Sequence, residues 1–250
     1  KNRWVIDRCQ ITNHDGSTLS FSNTSSYPAQ VSWGYFIQRS ASTLDDFGDW
    51  HHDNSNGKLY MYFGAENPNN HTVKISTLDR GIYNWAYDYI SVDNIRFEGA
   101  NTEAFYGYNS PSHQTIQNCE IYFSGKDAIY IHYPFYCLID NNIIDFTNST
   151  AINATSYHSD GSTRISNNTI TNTFTFPGMG HPGDGTTVAI AANGHNGIIE
   201  NNTIINTGYL PINYGGRNTI VRNNYINTYC YIKDDGGGIY TYADNFTGKQ

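Results

Sequence analysis

The hexapeptide IDNNII, residues 139–144, belongs to a pattern that recurs through most of the chain. The pattern is an apolar residue, a variable residue, Asn, two variable residues and a second apolar residue. An earlier relative, IDRCQI at residues 6–11, has Arg8 where the Asn is expected. A repeat of 20 to 50 residues is the signature of a solenoid, in which successive repeats stack on one another. The other copies are VDNIRF (92–97), IQNCEI (116–121), ISNNTI (165–170), IENNTI (199–204) and VRNNYI (221–226), and the Asn positions 94, 118, 141, 167, 201 and 223 follow one another at steps of 24, 23, 26, 34 and 22 residues.

Each repeat also contains a second aligned element, which starts with a small residue, continues with an apolar one and then reaches a variable position. No helical pattern separates the copies, which excludes a solenoid of helix pairs, and the Leu ladder of leucine-rich repeats is missing. A coiled parallel sheet fits both elements, with the Ile positions in columns inside it. The second elements are AFYGY (104–108), AIYIH (128–132), AINAT (151–155), AIAAN (189–193), PINYG (211–215) and GIYTY (238–242).

The recurring Asn has two expected roles in such a coil. A short polar side chain tolerates the left-handed backbone of a tight bend, and stacked amides donate to and accept from one another along the column. Asn167 and Asn201 also begin Asn-x-Thr sequons, and as members of the ladder they are expected to be buried.

The ladder and the strand that follows it resemble the right-handed parallel β-helix of the pectate-lyase-like superfamily. The resemblance covers residues 90–242 and is closest to β-helix glycoside hydrolases, on the ladder, a hairpin insertion and the DGGGIY stretch. It implies an all-β fold, a right-handed parallel β-helix with a small antiparallel insertion near the amino terminus. We expect one domain over residues 1–250, regular turns at 90–242 and an insertion at 31–82, in a fragment of a longer protein.

The insertion is predicted from GDWHHDNSNGKLYMYF, residues 48–63, whose two strand-like arms flank Asn56 and Gly57. An Asn-Gly pair between such arms is a strong hairpin signal. HTVKIS, residues 71–76, is predicted to supply a further strand. The insertion either walls one side of a groove or caps an exposed end or edge of the coil.

Composition excludes several classes of partner. Charged residues make up 14% of the chain, the net charge is −8, and no basic run is present, so nucleic acid is not an expected partner. No run of 18 apolar residues predicts a membrane span. The four cysteines form no CxxC motif and the histidines no metal-ligand spacing, so we expect buried thiols and no metal or other cofactor. We expect a secreted or cell-surface protein, bacterial, whose signal segment lies outside this chain; the pattern assigns no oligomeric state.

The outward positions of the second elements predict a trough with aromatic residues at both ends and small polar residues between them. Sugars suit such a floor, because their C–H faces stack on aromatic rings and their hydroxyls pair with amides. The expected partner is therefore a polysaccharide or oligosaccharide, although the same rows are also compatible with the ordinary surface of a tyrosine-rich solenoid. The predicted substrate-binding residues are Tyr130, His132, Asn153, His181, Asn193, His195, Asn213, Tyr214, Arg217, Tyr240 and Tyr242.

The candidate catalytic residues are Asp184, Asp234 and Asp235. Asp184 lies in TFPGMGHPGDGTT (175–187), the insertion that lengthens one repeat to 34 residues, and DDGGG (234–238) enters its strand from the same side two turns later. Asp184 and Asp235 are expected to act as general acid and base, with Asp234 as nucleophile or modulator of its neighbour's pKa. The alternative is that Asp234 and Asp235 cap a tight glycine turn or bind calcium.

Three functions fit the sequence. The first is a secreted polysaccharide-active enzyme, a glycoside hydrolase that uses paired carboxylates. The second is a polysaccharide lyase or epimerase acting on uronates, for which Lys126 beside Asp127 would provide a base. The third is a noncatalytic carbohydrate-binding or adhesin β-helix, which is expected to have even repeat lengths rather than one step of 34 residues.

Overall fold

The computed structural model describes residues 4–22, 27–156 and 162–241, and most of this chain winds into three parallel sheets. Each turn passes through sheet 1, then sheet 2, then sheet 3. Sheet 1 consists of β5 (Ile82–Trp85), β8 (Phe105–Tyr108), β11 (Ile129–Ile131), β14 (Ile152–Asn153), β17 (Ile190–Asn193), β20 (Ile212–Gly215) and β23 (Ile239–Tyr240). Sheet 2 consists of β6 (Ser91–Asp93), β9 (Thr115–Gln117), β12 (Leu138–Asp140), β15 (Arg164–Ser166), β18 (Ile198–Glu200) and β21 (Ile220–Arg222). Sheet 3 consists of β7 (Arg96–Glu98), β10 (Glu120–Ser124), β13 (Ile143–Thr147), β16 (Thr169–Thr173), β19 (Thr203–Thr207) and β22 (Tyr225–Tyr229).

The core lies between the three sheets and consists of columns of apolar residues, mostly isoleucines. Ile144 pairs with Ile170 on sheet 3, and Ile165 with Ile199 on sheet 2, so equivalent positions of successive turns stack directly. These side chains are almost fully buried. β-Branched residues suit this environment, since their restricted rotamers pack well on a pleated surface. The predicted parallel β-helix with inward Ile columns is confirmed.

The bend between sheets 2 and 3 is made by the repeated Asn, as predicted. At all six template positions the Asn has a left-handed φ between 53° and 57°. This backbone region is unfavourable for most residues and tolerated by Asn. The recurrence of the template Asn therefore reflects one backbone corner per turn.

The continuous amide ladder lies one residue after the template Asn. Asn142 donates from Nδ2 to Oδ1 of Asn168 (2.9 Å), Asn168 donates to Asn202 (3.0 Å), and Asn202 donates to Asn224 (3.0 Å). Asn168 and Asn202 are buried, whereas the preceding template residues are exposed. The expectation that Asn167 and Asn201 would be buried is therefore wrong, because the corner turns these side chains outward and their successors inward.

The amino-terminal part contains antiparallel hairpins, β1 (Ile11–Asp15) with β2 (Thr18–Phe21), and β3 (Trp50–Asp53) with β4 (Lys58–Met61). The second is the hairpin predicted around Asn56 and Gly57. Two short 3₁₀-helices, Ala41–Thr43 and Pro68–Asn70, complete the regular structure of this part. The chain divides into two compact units, Ala29–Ile75 and the remainder, so the prediction of a single domain with an insertion at 31–82 stays a prediction.

Two local predictions in this part are wrong. Residues 71–76 form no strand; instead the ring of His71 packs against Phe47 (5.2 Å) and Phe63 (5.4 Å). IDRCQI is not a turn of the parallel coil, since Ile6 forms an antiparallel bridge with Gly183 and Ile11 starts β1. Arg8 is not among the described residues with positive φ, so this copy lacks the corner that the Asn provides.

Candidate active-site groove

The outer face of sheet 1 aligns the side chains that the sequence placed in one row. Tyr106 pairs with Tyr130, and Tyr130 with Asn153, in the register of β8, β11 and β14. Farther along, Asn153 pairs with Ala191, Ala191 with Asn213, and Asn213 with Tyr240. Tyr83 extends the row by one turn.

A groove of about 1160 Å³ runs along this face. Four carboxylates line it together with two basic side chains and a group of amides and aromatics, which makes the lining polar and net acidic. The acids are Glu103, Asp127, Asp184 and Asp235, the bases are Arg80 and Lys126, and the predicted binding residues in the lining are Tyr130, His132, Asn153, His181, Asn193, Asn213 and Tyr240.

The tyrosines of the groove are stacked on one another along the sheet. The ring centroids of Tyr83 and Tyr106 are 5.6 Å apart, and those of Tyr106 and Tyr130 are 5.0 Å apart with an interplanar angle of 12°. Both faces of Tyr106 are therefore covered by its neighbours. Tyr106 therefore presents its ring edge and hydroxyl to the groove rather than a face on which a sugar could stack. Burial, followed by the nearby Tyr106 and Asp127, raises the pKa of Tyr130 to about 12, so its hydroxyl remains a hydrogen-bond donor.

Two neighbouring carboxyl groups lie at the same position of successive turns, just before β8 and β11. Glu103 is buried and accepts a hydrogen bond from Nε of Arg80 at 2.9 Å. Asp127 accepts hydrogen bonds from the backbone N–H of Thr150 and from Nδ2 of Asn153, both at 3.0 Å. Burial raises the pKa of Asp127 in spite of these bonds, and Glu103 adds to the rise. Asp127 thus fixes the orientation of Asn153 at the centre of the floor.

Asp184 projects from the long connection between β16 and β17. Its Oδ1 accepts a hydrogen bond from the backbone N–H of Gly185 at 2.7 Å, and Nδ1 of His181 lies 2.7 Å from the carbonyl oxygen of Pro182. Arg8 donates to the carbonyl oxygen of Gly180 in the same connection. The insertion is therefore held by contacts from the amino-terminal segment.

Asp235 reaches the groove from the turn before β23. Its φ is 66°, a left-handed conformation that Asp tolerates. Tyr209 lies near both catalytic candidates: burial raises the pKa of its hydroxyl, and the negative charges of Asp184 and Asp235 raise it further. Asp184 and Asp235, the two carboxylates predicted to form a pair, thus both act on the hydroxyl of Tyr209.

Several predicted residues are not part of the described lining. The side chain of Tyr214 packs against the hydrophobic core, because strand alternation turns it away from the outer face of β20. Asp234 is adjacent to the lining residue Asp235 without belonging to the lining itself. His195 and Arg217 contact each other beyond the ends of β17 and β20, where Nδ1 of His195 accepts from the backbone N–H of Arg217 at 2.9 Å. Tyr242 is outside the described residues.

The groove also contains residues outside the predicted binding and catalytic sets, among them Lys126 and Asp127, which the sequence suggested only for the lyase alternative. Glu103 and Asp127 had a signal, since each directly precedes the Ala that starts an aligned second element. No sequence signal identified four further lining residues, because their position in the groove depends on how distant segments pack; these are Trp4, Tyr27, Arg80 and Tyr209.

The described residues contain no group of three or more His, Cys, Asp or Glu side chains that could hold a metal ion. Among the described residues, no third His, Cys, Asp or Glu side chain joins Asp234 and Asp235 to form a calcium site. No helix long and apolar enough to cross a membrane occurs among the residues described. Cys119 and Cys137 are buried thiols, as predicted, whereas Cys9 and Cys230 are partly exposed.

A parallel coil with a polar groove along one face is consistent with a protein that acts on polysaccharides or binds them. The model of the right-handed β-helix region family matches residues 108–248, more than half of the sequence, and the chain belongs to this family. Neither the curated proteins nor the solved structures with which the chain was compared gave a match.

Proposed function

We propose that the protein is a secreted glycoside hydrolase that binds an oligosaccharide or polysaccharide in the groove and cleaves it with Asp184 and Asp235. The observation that carries the proposal is that these two acids, from different turns, line one groove beside Tyr209. Hydrolysis requires one carboxyl group to protonate the leaving oxygen and a second either to activate water or to attack the sugar.

The floor of the groove supports a sugar ligand. Asn153, Asn193 and Asn213 present amides in the middle of sheet 1, and the tyrosine row presents hydroxyls at one end. Amides and phenols both donate and accept, as sugar hydroxyls do. The orientation of Asn153, fixed by Asp127, gives this part of the floor a defined pattern of donors.

The charge of the lining favours a neutral glycan. Four acids face two bases, and one of these bases, Arg80, is paired with Glu103. A uronate polymer would bring further negative charge into this environment. The acidic lining therefore disfavours the lyase or epimerase alternative. Asp184 and Asp235 in one groove favour a hydrolase over an adhesin, because an adhesin needs no general acid and base.

The test is to incubate the protein with a panel of neutral and uronic polysaccharides while new reducing ends and the ultraviolet absorbance of unsaturated products are followed. We expect reducing ends without unsaturation. Asp184→Asn and Asp235→Asn should each lower kcat/KM by at least about 100-fold, as expected for loss of a general acid or base. Asn also tolerates the left-handed backbone at position 235, so this change removes the charge and keeps the turn.

Three further variants sharpen the result. Glu120→Gln changes a carboxylate on sheet 3 and should leave kcat/KM unchanged. Asp234→Asn tests the neighbour that lies outside the lining, and Asp127→Asn tests the acid with the raised pKa on sheet 1. Full activity of both Asp184→Asn and Asp235→Asn would overturn the catalytic assignment. Unsaturated products would overturn hydrolysis and indicate a lyase.

A further inference from the structure

Lys233 directly precedes the two acids of the DDGGG stretch, yet its side chain is 1% exposed. A fully buried lysine is rare, since removing an ammonium from water is costly unless other groups compensate. Its surroundings therefore indicate what the side chain does.

The ammonium group of Lys233 contacts the long connection that contains Asp184. Nζ lies 3.3 Å from the carbonyl oxygen of Gly183, 3.3 Å from that of Thr186 and 3.4 Å from the hydroxyl of Thr186. All three acceptors flank Asp184 in sequence. One side chain from the turn of Asp235 thus holds the backbone on both sides of Asp184.

Aromatic rings and carboxylates complete the environment of this ammonium. Nζ lies 5.4 Å from the ring centroid of Phe174 and 5.1 Å from that of Tyr209, distances at which a cation is attracted to a ring face. Asp184, on the long connection, and Asp7, on the amino-terminal segment, are the negative charges that act on it. Tyr209 is itself titratable, and burial raises the pKa of its hydroxyl.

We propose that Lys233 is a positioning residue that locks the connection between β16 and β17 onto the turn of Asp234 and Asp235, and so sets the placement of Asp184 in the groove. Lys233 itself is not part of the groove lining and has no role at the reacting atoms. The catalytic consequence rests on the proposed function, whereas the locking of the connection does not.

The contacts of Lys233 with Gly183 and Thr186, here called the lock, are expected to weaken in mildly alkaline solution. Burial lowers the pKa of Lys233 from 10.5 to about 8, although Asp184 and Asp7 oppose the fall. A neutral amine has one N–H fewer for the three acceptors and loses its attraction to both carboxylates. Hydrogen bonds from a charged donor are about twice as strong as those from a neutral one.

Hydrogen–deuterium exchange of the peptide that covers residues 178–187 tests the lock without any substrate. After correction for the intrinsic pH dependence of exchange, protection of this peptide in the unmodified protein should fall about fivefold between pH 7 and pH 9.5, as one charge-assisted bond becomes neutral. Lys233→Met should lose at least this much protection already at pH 7 and show no further pH step. Lys233→Arg, which stays charged, should lose the pH step as well.

Lys58→Met makes the same chemical change on the exposed hairpin β3–β4 and should leave the exchange of residues 178–187 unchanged. Protection of residues 178–187 in Lys233→Met or Lys233→Arg equal to that of the unmodified protein at pH 7 would overturn the proposal. Unaltered protection of the unmodified protein between pH 7 and pH 9.5 would overturn the expected weakening in alkali. If a hydrolysed substrate is found, Lys233→Arg should shift the alkaline limb of the kcat profile upward in pH. Exchange that behaves as expected in a protein without glycosidase activity would overturn the proposed function and leave the lock in place.

Discussion

The buried amide of Asn168 makes an unusually complete set of hydrogen bonds. Its Nδ2 donates to the carbonyl oxygen of Ile139 and to Oδ1 of Asn202, and its Oδ1 accepts from the backbone N–H and from Nδ2 of Asn142. The side chain thereby connects three turns of the coil. Removing it would leave donors and acceptors without partners in the interior, which costs more than the loss of the bonds themselves.

Asn168→Ala should therefore lower the free energy of unfolding by about 3 kcal/mol or more, since several buried polar groups lose their partner. Asn167→Gly is the matched control. It keeps the left-handed corner at an exposed position and should cost less than about 1 kcal/mol. Urea denaturation followed by circular dichroism measures both. Equal losses in the two variants would contradict the assignment of the ladder to the second Asn.

The sequence predicted the corner at this scale but not the ladder, for a physical reason. The template Asn recurs in all six copies because every turn needs a left-handed residue there. The position after it holds Ile95 and Cys119 in the first two copies, so the pattern of the amide column is interrupted. At the amino-terminal end of the amide ladder, the backbone N–H of Cys119 donates to Oδ1 of Asn142 (2.9 Å). This contact cannot be predicted from residue types alone.

The connection between β16 and β17 is the element that distinguishes this coil from an even solenoid. Its length and its position beside sheet 1 could be predicted, because one repeat is 34 residues long and the insertion precedes an aligned strand. The groups that hold it could not, since Ile6, Arg8 and Lys233 come from opposite ends of the chain. Contacts between distant segments also place Tyr209 beside Asp184, so the sequence predicts Asp184 as a site residue but not Tyr209.

The close approach of Gly180 gives a test of this packing. A Cβ at this residue would lie 1.9 Å from the carbonyl oxygen of Asn148, so the backbone of the connection would have to move. Gly180→Ala should lower the free energy of unfolding by about 1 to 3 kcal/mol, the range for overpacked sites. Gly194→Ala is the control, because a Cβ there meets Ser156 at an ordinary 3.7 Å. Thermal denaturation compares them, and equal stability of the two variants would show that the connection adapts freely.

At the scale of the whole molecule, charge and architecture act together. The three sheets place the outward residues of successive turns in straight rows, so a groove along the coil presents repeated groups to a repeated ligand. The alignment of aromatic and amide residues could be predicted from the second elements. The orientation of the tyrosine rings could not, because it depends on contacts between turns rather than on spacing within them.

The net charge of −8 and the acidic lining predict selectivity between glycans. Neutral oligosaccharides should bind with an affinity that is independent of ionic strength, whereas polyuronates should bind weakly at low salt, where repulsion is least screened. Isothermal titration calorimetry at low and high ionic strength measures both. Tighter binding of a polyuronate than of any neutral glycan would contradict this prediction and favour the lyase alternative.

The column formed by Tyr83, Tyr106 and Tyr130 has an optical consequence. Its phenol rings are stacked at 5.0 to 5.6 Å with interplanar angles of 12° to 24°, close enough for their electronic transitions to couple. Such coupling gives the folded coil a near-ultraviolet spectroscopic signature that exists only while successive turns stay in register. The protein therefore contains an intrinsic chromophore that reports the integrity of its own winding.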